Sequence, residues 1–472
     1  MSSSFEPIMS PLDAQDLQNT GLLSPPSPGG SSGGGSRRLH KRRLNRSSDE
    51  EHYNIPLDVP MQSPAGSHAF QEIPEFLISR EALVHVGFSD HRAAFLWNEW
   101  SMYMAGMPQH DIDDLQVDFI SFILNRLDQQ VNTWSDTNSE WRSCLNSYGM
   151  SDEFQAAIMD PNFKYLRTSE SCHYWTKDTV EMRFAGLQDI QRASRLREAS
   201  LRQRSTQHGS SGAGPSHSRS GSAAERDDSS ARGHRRNRTS SSIQRLGAPG
   251  VQLRTMGTAS ALAAANAPGC TMLFKGIDNA RIHGLFSESG NLQDITVLQS
   301  SPPGDFSGNQ SRYYFSPDYK VAEYYAAYAK RRNSVSAVCI VSLAIPNAAL
   351  EQMQSTELVR IYWPSEEWKE TVWLSRRRQL LPSRLAMVSQ ATVVIGTIAK
   401  RPDEAYHRIQ SFNEITENYI LKADRLNPSV QFVFHYRRGK DFLEQHAAQT
   451  MRVTPFVNSD LTAWLQANGS FL

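Results

Sequence analysis

The spacing of apolar residues divides the chain into two regions that are predicted to fold differently. Between residues 70 and 200, Trp, Phe, Leu and Met recur at helical spacing. The run 114–131 shows this most clearly, and Ser89 and Gly149 stand where a helix N-cap and a helix C-cap are expected. Residues 178–204 continue the pattern in a long helix that becomes steadily more basic. The pattern predicts an all-α module of unknown role over 70–200.

From residue 268 onward the pattern changes to short apolar or aromatic runs that alternate with helical ones. Strands are expected at 271–276, 312–316, 336–346, 357–363, 391–399 and 430–436. Helices are expected at 365–378, 415–426 and 438–447. Because these elements do not form regular strand–helix–strand repeats, the pattern favours an α+β domain over 268–460 rather than a doubly wound sheet.

Two segments have too few apolar residues to predict a core of their own. Residues 1–68 are rich in Ser, Gly and Pro, and so is the linker 205–260. Both are predicted to be disordered. The basic run 37–46 has three interpretations, a nuclear import signal, a nucleic-acid patch or a solvated charge run.

Composition narrows the class of protein further. The 472 residues carry 49 Lys and Arg against 49 Asp and Glu, so the overall charge does not favour a nucleic-acid or membrane partner. The 4 cysteines are scattered without metal-binding spacing, and no metal site is expected. No apolar run is long enough for a membrane helix, and the first residues do not resemble a secretory signal. These features predict an intracellular protein, cytoplasmic or nuclear.

The stretch 304–330 is the candidate functional segment. A Gly/Asp/Ser/Asn loop leads into an aromatic strand, and Ser316 is then expected to cap a helix that begins at Pro317. Its helical face carries Val321, Tyr324, Tyr325 and Tyr328. The tyrosines are either core residues or one wall of a pocket.

The order of motifs in the C-terminal half resembles that of ADP-ribosyltransferase-fold domains. These motifs are LFKG, GDFSG, YYFSPD with VAEYYA, a Trp368-containing helix with Arg376 and Arg377, VVIGTIA and QFVFHY. Over about residues 270–447 they are similar to a compact bacterial family of uncharacterised proteins of that fold. The resemblance implies a split β-sheet domain that uses NAD as a co-substrate. The N-terminal half is not recognised.

The resemblance also implies a set of site residues. Lys275 and Gly276 match the His–Gly motif of polymerising members, in which the His holds a ribose and the Gly backbone grips the nicotinamide amide. Tyr314 matches the tyrosine that lines the nicotinamide pocket, and Tyr324 the aromatic residue that stacks on the ring. Strand order puts Gln431 near the place of the glutamate that steadies the cationic sugar. The expected catalytic residues are therefore Tyr314, Gln431 and Lys275, and the expected cofactor-binding residues are Gly276, Tyr324, Phe274 and Ser316.

These residue types suit the chemistry only in part. Tyrosines provide a flat apolar wall and a hydroxyl, and a glycine lets a ligand approach the strand closely. A carboxylate is needed to stabilise the positive charge that develops on the ribose, and Gln431 is neutral. Asp305 is a nearby acid with a second interpretation, an Asx-turn residue. Arg376, Arg377 and Arg378 are interpreted either as NAD phosphate ligands or as a solvated helix end.

The sequence therefore indicates two alternative functions. The first is an NAD-dependent mono-ADP-ribosyltransferase, or an NAD glycohydrolase, that acts on a protein acceptor. The alternative is a catalytically inactive module that binds NAD, ADP-ribose or a protein partner.

Overall fold

A computed structural model of the chain describes residues 6–25, 35–41, 69–106, 118–128, 130–209, 268–287, 290–334, 336–435 and 437–469. In these ranges the protein mixes helices with sheets, which confirms the α+β class. None of the described helices is both long and apolar enough to cross a membrane.

The first described residues pack onto the helical module. Helix α1 (Pro11–Asn19) and strand β1 (Ser36–His40) lie within the segment predicted to be disordered, and β1 pairs with β2 (Phe70–Pro74). Leu17 and Leu39 are buried in one small core with Leu187 of the long helix. The prediction of disorder was wrong for these two elements because their apolar residues are buried by a partner far away in the chain. The rest of the basic run, from residue 42, lies outside the described residues.

The predicted all-α module is helical after β2. Its helices run to the C-terminal end of the long helix, which continues beyond the boundary predicted from the sequence. They are α2 (Arg80–Val86), α3 (Asp90–Ala105), α4 (Phe119–Asn125), α5 (Asn138–Tyr148), α6 (Asp152–Ile158), α7 (Lys164–Arg167) and α8 (Cys172–Gly209). Ser89 caps α3 by accepting a hydrogen bond from the Arg92 amide, and Gly149 ends α5 in the left-handed conformation, as their positions predicted.

The C-terminal region contains a sheet that is divided into two parts. Its strands are β3 (Cys270–Asp278), β4 (Gln299–Ser300), β5 (Arg312–Phe315), β6 (Val338–Pro346), β7 (Leu358–Ile361), β8 (Val393–Thr397), β9 (Val430–Phe434) and β10 (Arg452–Phe456). One part has the order β10–β6–β3, and the other has the order β4–β5–β9–β8–β7. All neighbouring strands are antiparallel except β7 and β8. Phe274 and Ser316 join the two parts through a pair of backbone hydrogen bonds, of 2.8 and 2.9 Å.

Helices cover the divided sheet. They are α9 (Tyr319–Arg332), α10 (Asn347–Glu351), α11 (Glu366–Arg376), α12 (Ala386–Gln390), α13 (Asp403–Arg408), α14 (Arg438–His446) and α15 (Asn458–Asn468). Helix α9 lies across β3, and one continuous apolar core joins α9 to the helical module. The helical module and the C-terminal region therefore share one hydrophobic core and do not form two separate domains.

The helix predicted at 415–426 is absent. The chain forms only a short 3-10 turn at Glu417–Tyr419 and then pairs Ile420 with Ala399. Ile420 and Leu421 are buried next to each other, and the Leu421 amide donates to the Ile398 carbonyl oxygen at 3.0 Å. Asp424 then accepts from the amides of Leu426 and Asn427 and closes a turn. The backbone pairing of Ile420 and the turn closed by Asp424 are therefore favoured over the helix that the apolar spacing predicted.

Candidate functional site

Gly276 lies on the free edge of β3, beside helix α9. Phe274 uses that edge to pair with Ser316, and Gly276, two residues later, directs its backbone polar groups to the same side. A Cβ atom built on Gly276 would lie 2.2 Å from the Ala322 carbonyl oxygen and 2.8 Å from the Ala326 amide nitrogen. The glycine is therefore required for the close approach of α9 to the strand.

Lys275 points to the opposite face of β3. Its Nζ donates to the Leu298 carbonyl oxygen and to Ser300 Oγ, each at 3.0 Å. Burial, with a smaller contribution from Arg281, lowers the pKa of Lys275 to about 8. The structure thus places Lys275 and Gly276 on different sides of the strand, with the amine held against the chain before β5.

Tyr314 and Gln431 lie on neighbouring strands and on the same face of the sheet. Tyr314 is directly opposite Val433, and Gln431 precedes Val433 by two residues, so their side chains project from one face. The Tyr314 hydroxyl lies so close to Gly304 that a Cβ atom there would be only 2.2 Å from its oxygen. Burial raises the pKa of Tyr314. Tyr314 and Gln431, two of the expected catalytic residues, therefore lie in one region of the sheet.

Asp305 is the centre of the polar network on this face. Its Oδ1 accepts from Arg376 Nε at 2.9 Å and from Arg376 Nη2 at 2.8 Å. Its Oδ2 accepts from Gln431 Nε2 at 2.6 Å and from the Ala399 amide at 2.7 Å. Asp305 is only 3% exposed, so these bonds account for its burial. The interpretation as a simple Asx-turn residue does not describe these contacts.

The helical module contributes a carboxyl group to the same network. Arg376 Nη1 lies 3.3 Å from Glu170 Oε1 and 3.2 Å from Asp403 Oδ1. We call Glu170, Asp305, Arg376, Asp403 and Gln431 the Asp305 cluster. Arg376 joins the module, the loop before β5 and the start of α13, and it is not the solvated helix end that was one of its two interpretations.

Charge is distributed unequally within the Asp305 cluster. Burial works against the charge on Arg376, but Asp305, Glu170 and Asp403 outweigh it and raise the pKa of the guanidinium well above its usual value. Burial raises the pKa of Glu170 to about 8, with Arg376 opposing the shift and Asp403 adding to it. Burial therefore favours the protonated form of Glu170 beside the Arg376 cation.

Tyr324 and Tyr325 lie in different surroundings. The Tyr324 ring stacks with Trp464 of α15 at 5.3 Å and with Phe163 of the module at 6.2 Å, and only 5% of the residue is exposed. Burial raises the pKa of Tyr325, and the acids Glu170 and Asp305 raise it further. Tyr325 therefore lies within electrostatic reach of Glu170 and Asp305, whereas Tyr324 belongs to an aromatic stack.

Phe274 and Ser316 hold the strands in place. Phe274 packs edge-on against Tyr319 at 5.3 Å. Ser316 Oγ donates to the Val430 carbonyl oxygen at 2.9 Å and accepts from the Asp318 amide at 3.1 Å. The helix cap is Asp318 rather than Ser316, because the Asp318 carboxylate accepts from the Lys320 amide and Ser316 is used by β9.

The structure thus brings together only part of the predicted set. Tyr314 and Gln431 meet around Asp305, Gly276 lies at the strand edge, and Lys275 and Tyr324 lie elsewhere. Sequence reasoning missed Glu170, which has no local signal because it comes from the unrecognised module. Tyr325 packs against the core that joins α9 to the helical module, so for this tyrosine the core interpretation agrees with the structure.

The comparisons with known proteins supply no name for this arrangement. No family model, no curated protein and no solved structure matches the chain. Within the described part of the chain, no group of His, Cys, Asp and Glu side chains is placed to hold a metal ion. The chemistry of the site must therefore be argued from its own residues.

Proposed function

We propose that the C-terminal region is an ADP-ribosyltransferase-like domain that binds NAD or ADP-ribose without breaking the nicotinamide–ribose bond. The observation that carries this proposal is the contact between Gln431 and Asp305. Gln431 stands where strand order in the resembling family requires an acid, and its amide nitrogen donates to Asp305 at 2.6 Å. A neutral side chain that is already bonded cannot stabilise a developing ribose cation.

Two features support nucleotide binding. The backbone edge of β3 at Gly276 lies two residues beyond the isolated bridge between Phe274 and Ser316, and there it offers a donor and an acceptor to a flat amide. Tyr325 provides an aromatic ring on the adjacent helix, beside the Asp305 cluster. NAD supplies the carboxamide and the flat ring that such a pair of groups recognises.

The test measures binding and chemistry separately on the full chain. Calorimetry with NAD and with ADP-ribose is expected to show binding, and labelled NAD is expected to yield neither free nicotinamide nor labelled protein. Tyr325→Ala is expected to weaken binding at least tenfold, and Tyr324→Phe, which keeps the aromatic stack, is the matched control. Absence of binding, or equal binding by Tyr325→Ala, would overturn the nucleotide site.

A second candidate function is an NAD-dependent mono-ADP-ribosyltransferase or NAD glycohydrolase that acts on a protein acceptor. One observation favours it, because Glu170 brings a carboxyl group from the helical module to Arg376, in a region where Gln431 supplies none. If this group serves the reaction, nicotinamide release by the wild type rises with pH as Glu170 ionises, and Glu170→Gln abolishes it. Release that survives in Glu170→Gln would exclude this role for Glu170.

A further inference from the structure

A cavity whose lining includes no residue of the Asp305 cluster lies where three parts of the chain meet. Its volume is about 570 Å³, and it is bordered by the β1–β2 hairpin, by α2 and by the C-terminal end of α9. Cavities of this size hold small molecules in many proteins. The residues that line this cavity are not part of the proposed NAD site.

The cavity lining has an excess of negative charge. Four carboxylates, those of Glu72, Glu81, Asp90 and Glu153, face the guanidinium groups of Arg80 and Arg183. Burial, together with a smaller contribution from Arg183, lowers the pKa of His85 to about 4, so this histidine is neutral at physiological pH.

The ion pairs in the lining use only part of these acids. Arg80 Nη2 is paired with Asp90 Oδ1 at 2.9 Å, and both terminal nitrogens of Arg183 reach Glu153, at 3.0 and 3.1 Å. Glu81 lies 3.9 Å from Arg80, at the limit of an ion pair, and Glu72 accepts only the hydroxyl of Ser36 among the contacts of its side chain in the described residues. Glu72 and Glu81 are therefore the surplus negative groups.

The same cavity contains buried donors that lack an acceptor. Asn333 is 3% exposed, and its Oδ1 accepts from the Ser336 amide at 3.2 Å. In the part of the chain that the structure describes, Asn333 Nδ2 has no hydrogen-bond partner, and neither has Arg80 Nε. Leaving a buried donor unpaired destabilises the folded protein, so a ligand oxygen beside Asn333 Nδ2 is favoured.

We propose that this cavity binds a free amino acid with a cationic side chain, of the arginine or lysine class. Its carboxylate accepts from Asn333 Nδ2 and Arg80 Nε, and its cationic groups face Glu72 and Glu81. This ligand matches both features of the lining, because it brings an acceptor to the unpaired donors and positive charge to the surplus acids. Anionic ligands satisfy the donors but are repelled by the acids.

The first experiment is calorimetry on the full chain with four probes. L-arginine and L-lysine are expected to bind. L-glutamate and L-arginine methyl ester are each expected to bind at least tenfold more weakly, because the first has no side-chain cation and the second has no carboxylate. Tighter binding of glutamate, equal binding of the ester, or no binding of arginine and lysine would overturn the proposal.

Variants then test whether any binding occurs in this cavity. Glu81→Gln removes one surplus charge, and Asn333→Asp replaces the Nδ2 donor while keeping an oxygen for the Ser336 amide. Each is expected to weaken arginine binding at least tenfold, whereas Glu444→Gln, which alters an acid on the exposed face of α14, is expected to change nothing. Unchanged binding in Glu81→Gln refutes the site. Should Asn333→Asp fail to fold, Glu81→Gln and the methyl ester still decide.

Discussion

Gln431 Nε2 and Asp305 Oδ2 are 2.6 Å apart, although 126 residues separate them in the chain. The bond ties the central strand β9 to the loop before β5, and Arg376 binds the other oxygen of the same carboxylate. Polar groups in this position stabilise the fold only while each has its partner. The Asp305 cluster is therefore a structural centre as well as the candidate site.

Replacing Asp305 with asparagine is expected to destabilise the protein strongly. The change removes the carboxylate that takes two bonds from the buried Arg376 guanidinium. Breaking a buried pair in this way costs about 3–5 kcal/mol of unfolding free energy. Urea unfolding measures this loss of unfolding free energy. The control is Glu444→Gln, which breaks an ion pair on the surface of α14 and is expected to cost only about 0.3–0.5 kcal/mol. Similar losses in both variants would contradict a structural role for Asp305.

The aromatic stack around Tyr324 predicts a packing effect. Tyr324→Ala opens a cavity beside the stacked rings of Phe163 and Trp464, and large-to-small changes of this kind cost about 3–5 kcal/mol. Thermal unfolding is expected to show a large loss for Tyr324→Ala and a small one for Tyr324→Phe. Tyr362→Ala, at a tyrosine that is 40% exposed, is the control. If Tyr324→Ala is as stable as this control, the aromatic stack does not stabilise the packing of α9 against the helical module and α15.

Gly276 is expected to tolerate no side chain. In Gly276→Ala the new methyl group meets the backbone of α9 at Ala322 and Ala326, and neither atom is the end of a flexible side chain. Overpacking typically costs about 1–3 kcal/mol, and this contact belongs at the upper end. Gly106→Ala is the matched control, because the nearest atom to its new methyl group, the Met102 carbonyl oxygen, is 3.6 Å away. Equal melting temperatures for the two variants would disprove the close approach of α9.

The raised pKa of Glu170 predicts a pH dependence of stability. Its folded pKa is about 8, against an ordinary value of 4.5. The folded protein therefore holds the proton more tightly, so stability is complete below pH 4.5 and falls as the pH rises towards 8. Unfolding free energies of the wild type and Glu170→Gln are measured from pH 4.5 to 8.

In that window the wild type is expected to lose stability relative to Glu170→Gln by up to about 1.4 kcal/mol per pH unit. His85 acts in the opposite direction, because its pKa is lowered to about 4, but both proteins carry it and its effect cancels in the difference. Parallel curves for the two proteins would show that Glu170 is not buried beside Arg376 as described.

Much of the architecture follows from local sequence patterns. The apolar runs at 271–276, 336–346 and 430–436 became β3, β6 and β9, and the helix at 365–378 became α11. These elements were predictable because alternation, β-branched residues and charged helix ends act over a few neighbouring residues. The same local logic failed at 415–426, where the buried residues Ile420 and Leu421 pair with the segment that follows β8.

The sequence by itself determined the α+β class and the helical character of the module, whereas the site residues were expected only from a resemblance. Only the tertiary structure decided that Tyr325 rather than Tyr324 approaches the Asp305 cluster, that Lys275 points away from Gly276, and that Glu170 reaches Arg376. The physical reason is that these contacts depend on which helix packs against which strand. That packing depends on apolar residues from distant parts of the chain, and the spacing of neighbouring residues gives no information about which of them will meet.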